Sequence, residues 1–334
     1  MRGLPKAQLH LHLTGAMRPA TLRDLAGRHG LAIPPPLPPA AGTWADFQDR
    51  YDAARQAIRT PADVARVIAE AADDDAADGC GWLELQVDPT SYAAALGGLA
   101  PALEAVLAGA HAAAIPAGVV VASSWTRSPE HATTLARLAA TYAGHGVVGF
   151  GLSNDERHGN VADFAPAFAI AAEAGLLGVP HSGFYTGAEH VRACVEHLHA
   201  ARLGHGTAAA NDPATRDLLA ERQVALEICP TSYPPFGVHE LTDIPLRTLL
   251  DAGVPVAVAT DDPLLFGVGL AGQYSICRDV LGLTDAELAG LAAASIRHSA
   301  APQPLKAELL RRAERWLTDE SPRPGTAPSA PARC

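Results

Sequence analysis

Two histidines alternate in the run Gln8-Leu9-His10-Leu11-His12-Leu13, so a strand there sends both imidazoles off one face and Leu9 and Leu11 off the other. Taken alone, the His-x-His pair fits two ordinary histidines as well as a site. Further along, His181, His205 and the pair Asp261-Asp262 each close a short apolar run. If those runs are strands of one closed sheet, the groups meet at a single mouth, where barrel enzymes place their chemistry. Three neutral imidazoles and a carboxylate are the ligand set expected for zinc with a water in the open position, and such an ion brings the pKa of that water towards ~7. Zn2+ is the default cofactor, although Fe2+, Mn2+ or Co2+ accept the same nitrogen and oxygen donors. A two-metal site commonly needs a bridging carboxylate or a modified lysine. The only lysines, Lys6 and Lys306, stand at no inward strand end, so one ion is expected.

The elements that must position these groups follow from hydropathy. Eight β-rich runs, at residues 8–13, 81–87, 118–123, 147–152, 176–180, 201–205, 224–229 and 255–260, each precede a longer Ala/Leu/Arg stretch of helical period. Eight βα units predict a (β/α)8 TIM barrel. An open doubly wound sheet is the alternative, but it usually carries a Gly-rich phosphate loop after its first strand, where this chain has His12-Leu13-Thr14-Gly15. The stretch between the first two runs is longer than one barrel helix needs. It predicts a helical insertion after strand 1, at about residues 18–78, over the C-terminal face as a lid. Residues 1–317 are then one domain, and the Pro/Ser/Ala-rich residues 318–334 a disordered tail.

Composition narrows the function class. A formal charge of −11 disfavours nucleic acid as a partner, since such binders cluster Lys and Arg on one face. No run resembles a membrane span and no apolar leader precedes the first strand, so a soluble, cytoplasmic protein is expected. Cys80, Cys194, Cys229, Cys277 and Cys334 show no CxxC pairing and are expected as thiols, mostly buried. A small-molecule substrate is the expected partner. Oligomeric state is not legible.

With these groups placed, a resemblance becomes specific. The segment Pro5-Lys6-Ala7-Gln8-Leu9-His10-Leu11-His12-Leu13-Thr14-Gly15 resembles the opening of the adenosine deaminase family within the amidohydrolase superfamily. Arg202-Leu203-Gly204-His205-Gly206, Leu226-Glu227-Ile228-Cys229-Pro230-Thr231-Ser232 and Thr260-Asp261-Asp262-Pro263-Leu264 resemble its later signatures, in the same order. The resemblance implies a metal-dependent deaminase. Residue by residue it implies His10, His12, His181 and Asp261 as metal ligands, His205 beside the nucleophilic water, and Asp262 accepting a hydrogen bond from the substrate ring. The other reading of Asp262 is an N-cap for the next helix.

Departures from the family pattern bear on the substrate. After the fifth-strand histidine the family reads His-Ala-Gly-Glu, and that glutamate protonates the purine ring. Here the segment is His181-Ser182-Gly183-Phe184. Loss of a general acid typically lowers a rate by about 10²–10⁴. Glu189 aligns with a separate Gly-x-Glu segment and reads as structural. Thr14 stands where nucleoside enzymes hold the ribose 5′-hydroxyl with aspartate, Asn154 replaces a glycine at the purine edge, and Tyr233 replaces an asparagine. Thr14, Asn154, Phe184, Tyr233 and Asp262 are therefore the expected substrate contacts, with Phe184 able to stack on a planar ring. The expected enzyme attacks an electrophilic C=N carbon of a purine-like or other heterocycle, not ordinary adenosine. The alternatives are a metal-binding relative without turnover and a hydrolase of an amide or lactam.

Overall fold

Runs buried on both faces are what a parallel sheet demands when helices cover its outside and side chains fill its inside. In the computed structural model, which describes residues 1–38 and 42–318, eight such runs form strands. They are β1 (Lys6–His12), β2 (Cys80–Val87), β3 (Ala117–Ser124), β4 (Val147–Ser153), β5 (Leu177–Ser182), β6 (Arg202–His205), β7 (Ala225–Ile228) and β8 (Val256–Val258). The sheet order follows the chain order from β1 to β8, and every pairing is parallel. A bridge between Leu11 and Asp261 joins the two ends, with Asp261 N donating to His10 O at 2.9 Å and His12 N to Asp261 O at 3.2 Å. The architecture is a (β/α)8 barrel.

Register sets the height of each functional group. His12 lies opposite Gln86, His181 opposite Gly204, and Ser182 opposite His205, so the groups named above sit level at the C-terminal end. β8 ends earlier than hydropathy predicts, because Asp261 turns into the left-handed region at φ 61° to bridge β1.

Three helices fill the connection from β1 to β2: α1 (Pro19–His29), α2 (Trp44–Gln56) and α3 (Pro61–Ala77). Thr43 with Asp46, and Thr60 with Asp63, close reciprocal capping boxes that start α2 and α3. α3 is the barrel helix, burying Val64, Val67, Ile68, Ala71 and Ala72. α2 buries only Phe47 and Ala54 and extends its aromatic residues over the mouth. Cys80, Cys194, Cys229 and Cys277 are buried free thiols. Among the described residues no single helix is long and apolar enough to cross a membrane. Thr318 ends the helix Gln303–Thr318, one residue into the expected tail; residues 319–334, including Cys334, lie outside the described residues.

Candidate active site

Inward alternation on β1 puts His10 and His12 under the mouth, and each neighbouring strand end adds one more group. His12 Nε2 lies 3.3 Å from His181 Nε2 and 3.3 Å from Asp261 Oδ1, while His10 Nε2 lies 3.4 Å from that same oxygen. His205 Nε2 is 3.8 Å from Asp261 Oδ2. Ring orientation is set from behind. His10 Nδ1 donates to Glu227 Oε2 at 3.0 Å and His181 Nδ1 donates to the Leu152 carbonyl at 2.8 Å, so both rings turn Nε2 inward. Gly204 is required between them, since a Cβ there would lie 2.8 Å from His10 Cε1 and 3.0 Å from His181 Cγ.

Under this cluster a buried ionic layer holds Glu227 in place. Arg202 Nε donates to Glu227 Oε1 at 2.6 Å, and its Nη2 pairs with Glu84, whose Oε1 also accepts from the Trp82 indole at 2.9 Å. Removing one member of such a buried set strands the others, at a cost of about 3–5 kcal/mol.

The electrostatics suit a cation. Burial works against a charged His10, but the nearby Asp261 and Glu227 carboxylates outweigh it and raise its pKa to about 10. Burial keeps His12 and His181 neutral and lowers His205 to about 3. Asp261 is held well below the carboxylate range by His10 and His12, against the opposing effect of burial. Neutral His12 and His181 beside an ionised Asp261 match what a divalent ion requires, whereas at His10 an ion would have to displace a proton that Asp261 and Glu227 favour. His10 Nε2 is buried without a hydrogen-bond partner, an orphan that a metal would satisfy. Groups close enough to share an ion include His10 with His181 and His205, and His12 with Asp261 and Asp262.

With the barrel and this cluster in view, the comparisons with known proteins agree. The sequence profile of the family described as adenosine deaminase matches residues 5–316. The chain belongs to that family. It is a hydrolase of carbon–nitrogen bonds. A Streptomyces virginiae protein, provisionally named adenosine/adenine deaminase, is 52% identical over 329 residues, covering 94% of this chain and 97% of its own. An aminodeoxyfutalosine deaminase of Streptomyces coelicolor is 35% identical, covering 92% of this chain and 83% of its own. The crystal structure of an adenine deaminase from Arthrobacter aurescens superposes with a TM-score of 0.84 at 28% identity, covering 95% of this chain and 100% of its own.

Asp262 stands at the N-cap position of the short helix Pro263–Phe266, but its side chain makes no capping bond and its Oδ1 is buried without a partner. Burial, then the adjacent Asp261, push its pKa well above the usual range. Gly15 of the opening motif makes room for it, since a Cβ there would fall 1.8 Å from Asp262 Oδ1. His205, Asn154 and Asp261 all adopt positive φ without being glycine, at 65°, 73° and 61°. Of the five such residues described, the other two, His199 and Gln223, end helices. Left-handed conformations in non-glycine residues persist only where surrounding structure enforces them, often at functional sites.

Phe184 lines the chamber beside His205. Its ring centroid lies 4.7 Å from that of His205, 4.8 Å from Tyr185 and 5.6 Å from Phe236. The turn carrying it is folded on Glu156, whose Oε1 accepts from the backbone N–H groups of Phe184, Tyr185 and Thr186 at 2.7–2.8 Å and from Thr186 Oγ1 at 2.7 Å.

Asn154, Phe184, Asp262, His12, His181, His205 and Asp261 all line one chamber. Two expected contacts do not. Thr14 is fully buried and its hydroxyl is taken up by Tyr92 OH at 2.6 Å; Tyr233, also fully buried, sits behind Phe184 with its OH accepting from Cys229 N at 3.1 Å. Each belongs to the second layer of the wall. Sequence reasoning assigned no role to Glu84, Glu227, Glu156 or the aromatic roof of Trp44, Phe47, Phe236 and Phe266. A signal for the first two was present: a lone carboxylate in Leu83-Glu84-Leu85 and in Leu226-Glu227-Ile228 is costly in a buried strand unless paired.

Proposed function

We propose that this chain is a zinc aminohydrolase whose single ion is held by His10, His12, His181 and Asp261, and whose substrate is a planar purine-like ring other than adenosine. The ion supplies Lewis acidity and lowers the pKa of a bound water. The chain's own residues do the rest. His205, whose Nε2 lies 3.8 Å from Asp261 Oδ2, offers an imidazole nitrogen to receive a proton at the attack step. Asp262, adjacent to a proposed ligand, offers its carboxyl to a ring nitrogen. Phe184 and the aromatic roof exclude water and give the ring a stacking face.

One observation carries the substrate reading: the ring packed against His205 is that of Phe184, which we align with the family's acid and which has no proton to give a ring nitrogen. A ring already protonated or more electron-poor than adenine needs less of that help. The test is metal analysis of purified protein together with an ammonia-release screen of aminopurines, aminopyrimidines and pterins. The compounds for which the relatives are named, adenine and aminodeoxyfutalosine, are the first to try. Near one zinc per chain and ammonia from a non-adenosine heterocycle are expected, whereas tight binding without ammonia supports a non-catalytic relative. Phe184→Glu is expected to raise adenosine deamination and to lower turnover of the native substrate. Wild-type efficiency on adenosine of about 10⁵ M⁻¹s⁻¹ would overturn the role given to Phe184.

A further inference from the structure

The open volume of the chamber, its mouth included, is about 950 Å³. That volume includes solvent-open space at the mouth. The mouth is divided. Trp44, Phe47, Phe236 and Phe266 make an apolar wall, while Gln48, Arg55, Asp88 and Ser91 make a polar one.

Arg55, on α2, is the one Lys or Arg among the described residues that line the chamber. Its guanidinium is fixed on three sides: Nη1 donates to Ser91 Oγ at 3.1 Å, Nη2 pairs with Asp52 Oδ1 at 2.8 Å, and its carbon lies 5.1 Å over the Tyr51 ring. The Nε is buried and unpartnered. A guanidinium has five N–H donors in a rigid fork, so this one retains donors in a set orientation. Arg55 and Asp262 line the same chamber. The same wall offers no hydroxyl-binding acceptor at Thr14, whose Oγ1 is spent on Tyr92, the neighbour of Ser91.

We infer that the mouth holds a second subsite, centred on Arg55, for a hydrogen-bond-accepting arm attached to the ring, neutral or singly charged. The inference rests on the purine-like reading of the substrate above. A phosphate dianion is disfavoured, because Asp52 already matches the Arg55 charge and Asp88 lines the same wall. A carboxylate or carbonyl needs only the unused N–H groups, and a charge-assisted hydrogen bond is the stronger kind.

The test compares two probes of similar length, 9-(2-carboxyethyl)adenine and 9-propyladenine, on the full zinc-loaded chain. Wild type is expected to favour the carboxyethyl compound by about tenfold or more in kcat/KM, with Arg55→Met bringing the ratio near one and Arg55→Lys lying between. A wild-type ratio near one, or a ratio unchanged in Arg55→Met, would overturn the subsite. If neither probe releases ammonia, dissociation constants for the same pair are compared by calorimetry. A retained binding preference then upholds the subsite while the failure belongs to the aminohydrolase reading, and an absent preference removes the subsite. Zinc content and melting temperature of each variant separate these outcomes from misfolding.

Discussion

On the floor of the chamber His10 and His181 each have their second nitrogen held by a buried acceptor, and Glu227 is held in turn by Arg202. On the roof the side chains meet ring to ring: Phe47 stacks on Phe266 with centroids 6.0 Å apart, and Phe236 meets Phe184, Phe47 and Trp44 at 5.5–6.0 Å. The floor stands on strands locked by a closed ladder, whereas the roof comes from α2 and the connections after β5, β7 and β8. Hydrogen-bonded strand ends fix direction as well as distance, which metal binding and proton transfer need. Aromatic contacts are less directional, so a roof can change its substrate while the floor keeps its reaction.

If that contrast holds, the largest effects belong to the floor. His10→Ala and Asp261→Ala are expected to empty the metal site and abolish activity, read by metal analysis and ammonia release. A variant that keeps a full ion would remove that residue from the ligand set, and two ions per well-loaded wild-type chain would refute a mononuclear site. Next in size is His205→Ala, expected to retain metal and lose turnover by about 10²-fold or more, because the imidazole acts on water and not on the ion. Loss of the metal in that variant would make His205 a ligand, which its proximity to His10 and His181 makes a sharp question.

The roof should answer more softly. Glu156→Gln weakens the anchor under Phe184, so KM is expected to rise by about tenfold with kcat changed less and metal content unaltered. Equal losses in kcat and kcat/KM would instead tie this turn to the reacting centre.

The smallest effect is expected at Asp75 on α3, which does not line the chamber. Burial, then Asp78 and Asp74, raise the pKa of Asp75 to about 8. Between the unfolded value of about 4 and that folded value the folded chain binds the extra proton, so this group's contribution to stability falls as pH rises across the interval. Asp75→Asn removes that loss. Urea midpoints at pH 5 and pH 8 should show the variant gaining on wild type at the higher pH, by a few kcal/mol at most. An equal difference at both values would show that Asp75 does not hold a proton in the folded chain.

Legibility followed the same division. Strand alternation placed His10 and His12 on one face, and run endings placed His181, His205 and Asp261 at one level, because a β-period of two and a parallel register turn linear spacing directly into geometry. Glu156 could not be read that way. Its partners lie 28 to 30 residues further along the chain, on a turn that exists only once β4 and β5 are paired. Thr14 and Tyr233 were expected as substrate contacts because they replace an aspartate and an asparagine of the family pattern; in the fold Thr14 pairs with Tyr92, and Tyr233 lies against Phe184.

From the residues alone came the eightfold βα order, the donor types at the strand ends and the phenylalanine that follows His181-Ser182-Gly183. Those are local properties: hydropathic period, residue chemistry and order along the chain. Only the tertiary structure decided which groups share the chamber, which nitrogen each floor imidazole turns inward, and that α2 brings Arg55 over the mouth. Such choices depend on contacts between residues distant in sequence, where packing and the pairing of buried polar atoms, not local preference, select one arrangement.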